Sequence, residues 1–356
     1  MRTEPDLDQR RIVDCLRNRY ALDVDQLTFV PYGLDSWSYV ATGADRRRAF
    51  VKLSRTSLST PSTASDLPLL AALAGRGVPV PRPIEDREGG FLNRIDGYDL
   101  QLLEYLEGRN LEDETAWPEQ LYRRVAEIVA AVHASTAAVR RLVDRVEDYE
   151  LPFLPGLVTS LATVEAADVL PGADEATVAS LRELIAGGAV DLRTAMSRLD
   201  QLRDLARGLS SEQVLCHTDI WGSNLLLSSD GGLHLLDWNG ALVGPPEADL
   251  FMFAGTSFFP PERFGWFLAR YETAFGPVRL DAATLGFYLY RRNLEDLAGF
   301  VGSIVEGRTE AMAPADMLDV VADLVAEAPL IDGHIERAAG VLSRRRTAEG
   351  SPRLTK

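Results

Sequence analysis

Two aspartates and an asparagine near the middle of the chain have the types and the spacing needed for chemistry at a phosphate group. Asp219 and Asn224 lie five positions apart between two short apolar runs, and Asp237 follows the next run. A loop between paired strands can aim one carboxylate at a nucleophile and place two further oxygen donors beside each other. Carboxylate and amide oxygens suit Mg²⁺ held between a protein and phosphates. The pattern predicts phosphoryl transfer, with Asp219 as the catalytic base and with Asn224 and Asp237 as metal ligands.

A lone internal lysine is a further candidate. The chain contains 35 arginines but only two lysines, Lys52 and the terminal Lys356. Lys52 ends the apolar run Ala49–Val51, which has the composition of a strand. Lysine offers a compact point charge where guanidinium is a wide planar fork. The bias therefore indicates a role at position 52 that arginine does not fill.

The elements around these residues change character along the chain. Short β-type runs and a helix over 66–75 occupy the first 105 or so residues, after a short amphipathic helix predicted over 6–20. Helical patterns then dominate, clearest over 121–137 and over 175–207, the latter interrupted at Gly187-Gly188; residues 151–172 are less regular. A β-type patch returns at 214–236 before more helices. The sequence predicts an α+β fold, with a small antiparallel sheet and one helix in residues 1–106, a hinge near 104–108, a larger helical part over 107–340, and a disordered tail over 341–356.

Composition excludes several classes of protein. The net charge of −16 argues against nucleic-acid binding. Two cysteines cannot form a disulfide scaffold or a four-cysteine zinc site. No apolar run reaches the roughly 20 residues of a membrane span, and the first residues lack an apolar signal core, which predicts a cytoplasmic protein without membrane contact.

The charge is unevenly distributed. Residues 1–107 carry 14 basic and 16 acidic residues, so the remainder carries 23 and 37. An acidic second part would concentrate a cationic ligand, although solubility explains the excess equally well.

The run Val214–Leu227, the segment Asp237–Leu250 and the run Tyr32–Tyr39 together resemble the aminoglycoside phosphotransferase and choline kinase family, the small-molecule branch of the protein-kinase-like fold. Within that family the latter two are most similar to spectinomycin-type phosphotransferases. The resemblance implies a bilobal fold that uses ATP and Mg²⁺. Residues 1–106 would form the nucleotide-binding lobe, and residues 107–340 would carry the catalytic loop and the acceptor pocket.

The same resemblance assigns residues to the nucleotide. Lys52 would hold the α- and β-phosphates, and Asp66, on the following helix, matches the acidic residue that pairs with this lysine. An ordinary helix N-cap is the alternative for Asp66.

Two backbone regions complete the implied nucleotide site. Gly33 and Ser36 would form the phosphate loop, for which a surface hairpin is the alternative. The backbone groups of Glu104 and Leu106 would contact adenine.

Other residues would support the loop or the acceptor. His217 would anchor the catalytic loop, and Asp249 would bond to its backbone, unless it merely complements a helix dipole. Trp221, Glu295 and Asp296 would border the acceptor pocket, although helical carboxylates are commonly just solvated. The chain departs from the family in having Asp237-Trp238-Asn239 where Asp-Trp-Asp is frequent, so one nearby charge is missing.

These observations predict a kinase that moves the γ-phosphate of ATP to a hydroxyl of a cationic small molecule, above all an aminoglycoside or aminocyclitol antibiotic such as spectinomycin. Resistance, self-protection during biosynthesis and primary metabolism are the alternative roles. The alternatives are a metabolic kinase acting on choline, homoserine, methylthioribose or a sugar, and a catalytically silent nucleotide-binding module. A protein kinase is disfavoured because no Ala-Pro-Glu segment follows Asp237. A monomer or a homodimer is expected.

Overall fold

The computed structural model describes residues 3–31, 36–56, 61–112, 117–209, 211–255, 263–308 and 312–349. In chain order, the first elements are α1 (Gln9–Tyr20), β1 (Val24–Val30), β2 (Trp37–Gly43), β3 (Arg48–Arg55), α2 (Pro61–Gly75), β4 (Leu92–Ile95), β5 (Tyr98–Glu104) and β6 (Gly108–Asn110). They are followed by α3 (Glu119–Ala134), α4 (Thr136–Val139), α5 (Leu154–Ala166), α6 (Glu175–Gly208), β7 (Val214–Cys216), β8 (Leu225–Ser228), β9 (Leu233–Leu235) and β10 (Leu242–Gly244). The last are α7 (Glu247–Ala254), α8 (Phe264–Phe275), α9 (Ala282–Glu306), α10 (Pro314–Glu327) and α11 (Ile331–Glu349). None of the helices in these ranges combines the length and apolar composition that a membrane span requires.

The chain forms two compact units. The first consists of Met1–Glu114, Ala131–Val146 and His217–Val243, and the second contains the rest. This division differs from the predicted boundary at residue 106, because the segment 217–243 belongs with the N-terminal part. The reason is strand pairing: β8 pairs with β6 in antiparallel register, and β9 pairs with β8. Three predicted chemical residues of that segment therefore share one unit with Lys52.

A five-stranded antiparallel sheet forms the larger part of the first unit. Its strand order is β1-β2-β3-β5-β4. Both helices predicted for this part of the chain are present, as α1 and α2. Because side chains alternate between the faces of a strand, Val51 and Leu53 of β3 point into a core shared with Ile12 and Leu16 of α1. Lys52 lies between them and points to the opposite face. The apolar alternation of β3 thus fixes the direction of the lysine.

The second unit is mainly helical and is organised around α9. This helix packs against α5, α6, α7, α10 and α11. The predicted interruption of α6 at Gly187-Gly188 is wrong, since the helix runs unbroken from Glu175 to Gly208. The cause is packing: a Cβ on Gly188 would collide with Val325 of α10, so the glycine permits close helix contact rather than ending the helix.

Two other expectations also differ from the structure. Residues 151–172, predicted to be less regular because of their prolines, contain the helix α5. Pro155 lies in the first turn of α5, where a proline costs no intrahelical hydrogen bond. The predicted disordered tail is wrong for residues 341–349, because α11 continues to Glu349. Leu342 is buried there and Arg345 pairs with Glu272 of α8. Residues 350–356 lie outside the described ranges.

Candidate active site

The loop between β7 and β8 holds Asp219 in a defined position. The side-chain amide of Asn224 donates to the Asp219 carboxylate at 2.8 Å and to its backbone carbonyl at 2.9 Å. The backbone N–H of Asp219 donates to Nδ1 of His217 at 3.2 Å, so this ring nitrogen is the acceptor. The other ring nitrogen of His217 bonds to the carbonyl of Leu236 at 2.8 Å, and the ring is fully buried. His217 therefore lies in the position of a loop anchor.

Asp237 stands next to the same loop. The backbone N–H of Leu236 donates to the carbonyl of Asn224 at 2.8 Å, which places the asparagine beside the start of the Asp237 segment. Trp238 is buried, its ring lies edge-on to His217 at 4.8 Å, and its indole N–H donates to Leu235. Asp237 itself is about half exposed, with its backbone in the left-handed region at φ 55°. Its carboxylate is thus available to a ligand while its neighbours are fixed.

Lys52 completes this group. Its ammonium nitrogen lies 3.3 Å from Oδ1 of Asp237, although the two residues come from distant parts of the sequence. The arrangement brings together the four residues predicted for base, metal and phosphate roles.

The donor set fits Mg²⁺. Asp237 offers a carboxylate and Asn224 an amide oxygen, both hard donors, and the open side of Asp237 leaves room for phosphate oxygens and water to complete the coordination. A cationic ammonium beside the same carboxylate suits a site that receives several negative charges.

Asp66 on α2 is buried near this group. Its Oδ2 accepts no hydrogen bond from the described residues. Burial raises the pKa of this carboxyl to about 6, an effect that Asp237 reinforces and that the charges of Arg145 and Lys52 oppose. Lys52 is thus close enough to act on Asp66, while its hydrogen bond goes to Asp237. The Lys52–Asp66 pair stays a prediction.

Arg145 is a residue that the sequence reasoning missed. Its guanidinium donates to the backbone carbonyl of Asn239, and its charge acts on Asp66. The carbonyl of Arg145 also accepts from the N–H of Val243. No sequence motif contains this arginine, and its proximity to Asn239 and Asp66 becomes visible only in the folded chain.

The remaining predicted nucleotide residues lie around the sheet of the first unit. Ser36 is buried immediately before β2, whereas Gly33 lies outside the described residues. Glu104 ends β5, where its backbone N–H donates to Arg82, and Leu106 follows before β6. Their contacts with a nucleotide stay predictions.

The candidate acceptor residues have separate surroundings. Trp221 is half-buried in the loop between β7 and β8, where its backbone N–H donates to the carbonyl of Asp219. On α9, Asp296 accepts from Arg292 at 2.7 Å, and Glu295 lies 3.7 Å from Arg291. Arginines one turn earlier on the helix thus offset part of both negative charges.

Asp249 belongs to the second unit. It is buried in the first turn of α7. Its bond to the catalytic-loop backbone stays a prediction.

Known proteins resemble this chain in sequence and in fold. Protein StrN of Streptomyces griseus is 27% identical over 225 residues, which are 63% of this chain and 67% of StrN. The structure of spectinomycin phosphotransferase APH(9)-Ia, solved with ADP and spectinomycin, superposes with a TM-score of 0.76 at 16% identity, covering 92% of this chain and 99% of that one. Amicoumacin kinase hAmiN, solved with AMP-PNP, Ca²⁺ and Ami, gives a TM-score of 0.64 at 18% identity over 91% and 93% of the two chains.

These structures confirm the predicted α+β, protein-kinase-like fold. The model of the phosphotransferase enzyme family matches residues 26–287, a span that includes Lys52, the catalytic loop and Asp237. That span is well over half of the chain and contains the motifs that predicted a phosphotransferase of small-molecule hydroxyl groups. The chain therefore belongs to the phosphotransferase enzyme family.

Proposed function

We propose that this phosphotransferase moves the γ-phosphate of Mg·ATP to a hydroxyl of a cationic small molecule, with aminocyclitol and aminoglycoside antibiotics as the leading acceptors. One observation carries the phosphoryl-transfer part of the proposal. Asp219, Asn224 and Asp237 lie on two loops joined by the Asn224–Leu236 backbone bond, and Lys52 is 3.3 Å from Asp237.

In this proposal each side chain has one task. Asp219 accepts the proton of the acceptor hydroxyl or orients that hydroxyl towards the phosphate, while Asn224 steadies its carboxylate before substrate arrives. Lys52 binds phosphate oxygens of the nucleotide. Asn224 and Asp237 would hold Mg²⁺, which supplies charge neutralisation on the phosphates. Catalysis then comes mainly from positioning and from electrostatic stabilisation of the transferred group.

The choice of acceptor rests on the net charge of the chain beyond residue 107 and on structural similarity to a solved phosphotransferase. Beyond residue 107 the chain carries 14 more acidic than basic residues, which favours a cation over a neutral sugar or an acid. The extensive superposition on a phosphotransferase solved with spectinomycin supports an aminocyclitol in particular. Trp221, Glu295 and Asp296 are the residues we assign to this acceptor.

The test is ADP release with Mg·ATP across a panel of spectinomycin, aminoglycosides, choline, homoserine, methylthioribose and simple sugars. We expect turnover with an aminocyclitol or aminoglycoside, and loss of that turnover in Asp219→Asn. Turnover with choline, homoserine, methylthioribose or a sugar alone would replace the antibiotic by a metabolic acceptor. Binding of Mg·ATP without turnover on any member would contradict the proposed acceptor class.

The proposal also includes the setting of the protein. Cys15 and Cys216 are both buried free thiols, which suits the reducing cytoplasm. We expect a monomer or a homodimer that binds neither nucleic acid nor membranes, with antibiotic resistance as its role.

A further inference from the structure

Thr218, the middle residue of the His217-Thr218-Asp219 sequence, has an unusual backbone. Its φ is 73°, in the left-handed region. A β-branched residue is disfavoured there, whereas glycine adopts this conformation without penalty. Such an outlier persists only where surrounding contacts hold it.

The hydroxyl of Thr218 makes one of those contacts. It donates to the backbone carbonyl of Gly240 at 3.2 Å. A serine or threonine is required for this bond, because glycine, the residue that best fits the backbone, has no donor in its side chain.

The Thr218–Gly240 hydrogen bond has a counterpart at His217, and the two bonds join the loop before Asp219 to the segment around Asp237. His217 bonds to the carbonyl of Leu236, one residue before Asp237, and Thr218 bonds to the carbonyl of Gly240, three residues after it. The two residues preceding the candidate base therefore hold the segment 236–240 on both sides of the candidate metal ligand. Asp237 is itself in the left-handed region, so its backbone also depends on neighbouring contacts.

Gly240 is shaped for this contact. A Cβ at position 240 would lie 2.5 Å from the Thr218 hydroxyl and 3.1 Å from the carbonyl of His217. Any larger residue would push the segment 236–240 away from the catalytic loop.

We propose that Thr218 is a positioning residue that fixes Asp237 relative to Asp219, so that the metal-binding carboxylate and the base keep one geometry. The inference rests on the proposed function, since it assigns Asp237 to the metal. Thr218 acts through the Asp237 segment, and the effect of its loss is a weaker metal site rather than a general loss of stability.

The experiment measures Mn²⁺ binding to the full chain in the presence of ADP by electron paramagnetic resonance, together with thermal unfolding, for three variants. Thr218→Val keeps the branched shape and loses the donor. Thr218→Ser keeps the donor. Thr218→Gly loses the donor but relieves the backbone. We expect the Val and Gly variants to bind Mn²⁺ about 10- to 100-fold more weakly and the Ser variant to stay within about threefold of the wild type.

The Gly variant separates positioning from stability, because its relaxed backbone keeps the unfolding midpoint at or above that of the wild type while the metal affinity falls. It also provides the test if Thr218→Val fails to fold. Equal Mn²⁺ affinity in the wild type and in the Gly and folded Val variants would overturn the inference, as would a Ser variant as weak as the Gly variant. Absence of Mn²⁺ binding in the wild type with ADP would instead overturn the proposed metal site itself.

Discussion

The ammonium of Lys52 and the carboxylate of Asp237 form an ion pair with a 3.3 Å separation between Nζ and Oδ1. The lysine comes from the central part of the sheet, and the aspartate comes from the loop after β9. Lys52 is largely buried, whereas Asp237 is about half exposed. The carboxylate of the pair is therefore open to solvent, while the lysine beside it is held among protein groups.

Lys52→Arg should weaken nucleotide binding although the charge is kept. The planar guanidinium is wider than an ammonium. It cannot take the place of the ammonium, because the alternation of side chains along β3 fixes where the side chain at position 52 points. Loss of a charged hydrogen bond to phosphate costs about 1.5–3 kcal/mol, which corresponds to at least about a tenfold rise in Kd for Mg·ADP. Isothermal titration calorimetry measures this. Arg47→Lys, the opposite exchange in the exposed turn before β3, is the matched control and should bind like the wild type.

Asp219→Asn should abolish turnover and spare nucleotide binding. The amide cannot accept the hydroxyl proton, and loss of a general base costs about 10²- to 10⁴-fold in kcat. The measurement is kcat with the acceptor that the panel identifies, alongside Kd for Mg·ADP. Asp25→Asn, an exposed aspartate on β1, controls for the loss of one charge. Retention of more than about a tenth of kcat would remove Asp219 from the role of base.

The adjacent glycines of α6 should respond in opposite directions to alanine. A Cβ at Gly187 meets open space, so Gly187→Ala should raise the free energy of unfolding by about 0.5–1 kcal/mol through helix propensity. At Gly188 the Cβ collides with Val325, and overpacking should lower the free energy of unfolding by about 1–3 kcal/mol. Urea denaturation of the two variants measures both values. The same sign for both would contradict the close contact between α6 and α10.

Glu247 should give stability a pH dependence of defined sign. Its side chain is buried in the first turn of α7, and Oε1 accepts the N–H of Asp281, which caps α9. Burial raises the pKa of this carboxyl from 4.5 to about 7. Its stabilising contribution is therefore fully present below pH 4.5 and is lost as pH rises through 7.

Glu247→Gln should remove this dependence. A difference between pKa values of 4.5 and about 7 corresponds to roughly 3 kcal/mol, by which the wild type should lose stability relative to the variant between pH 4.5 and 8. Urea denaturation across that range measures the difference. Glu175→Gln, in the exposed first turn of α6, should run parallel to the wild type. A parallel course for Glu247→Gln as well would show that Glu247 does not titrate there.

The parts of the site that the sequence predicted are those that depend on local order. The spacing of Asp219, Asn224 and Asp237 follows from one loop and one hairpin, so their proximity can be read from neighbouring residues. The direction of the Lys52 side chain is also predictable from local order, because the alternation of side chains along a single strand decides which face of the sheet it occupies.

The rest depends on contacts between distant segments. The Thr218 backbone is held from residue 240, and the continuity of α6 depends on how closely α10 approaches Gly188. Arg145 reaches Asn239 only after the chain has folded. A glycine pair or a lone arginine carries no sign of its partner, and for that reason these features escaped the sequence analysis.

The scarcity of lysine gives the proposed nucleotide site an intrinsic chemical label. Apart from Lys356 and the α-amino group, Lys52 is the single primary amine of the chain, and it lies at the ion pair with Asp237. An amine-selective acylating reagent can therefore add at most three acyl groups to the chain, and one of them marks Lys52. Occupancy by nucleotide could be read from intact mass as protection of one acyl group, with no engineered probe in the protein.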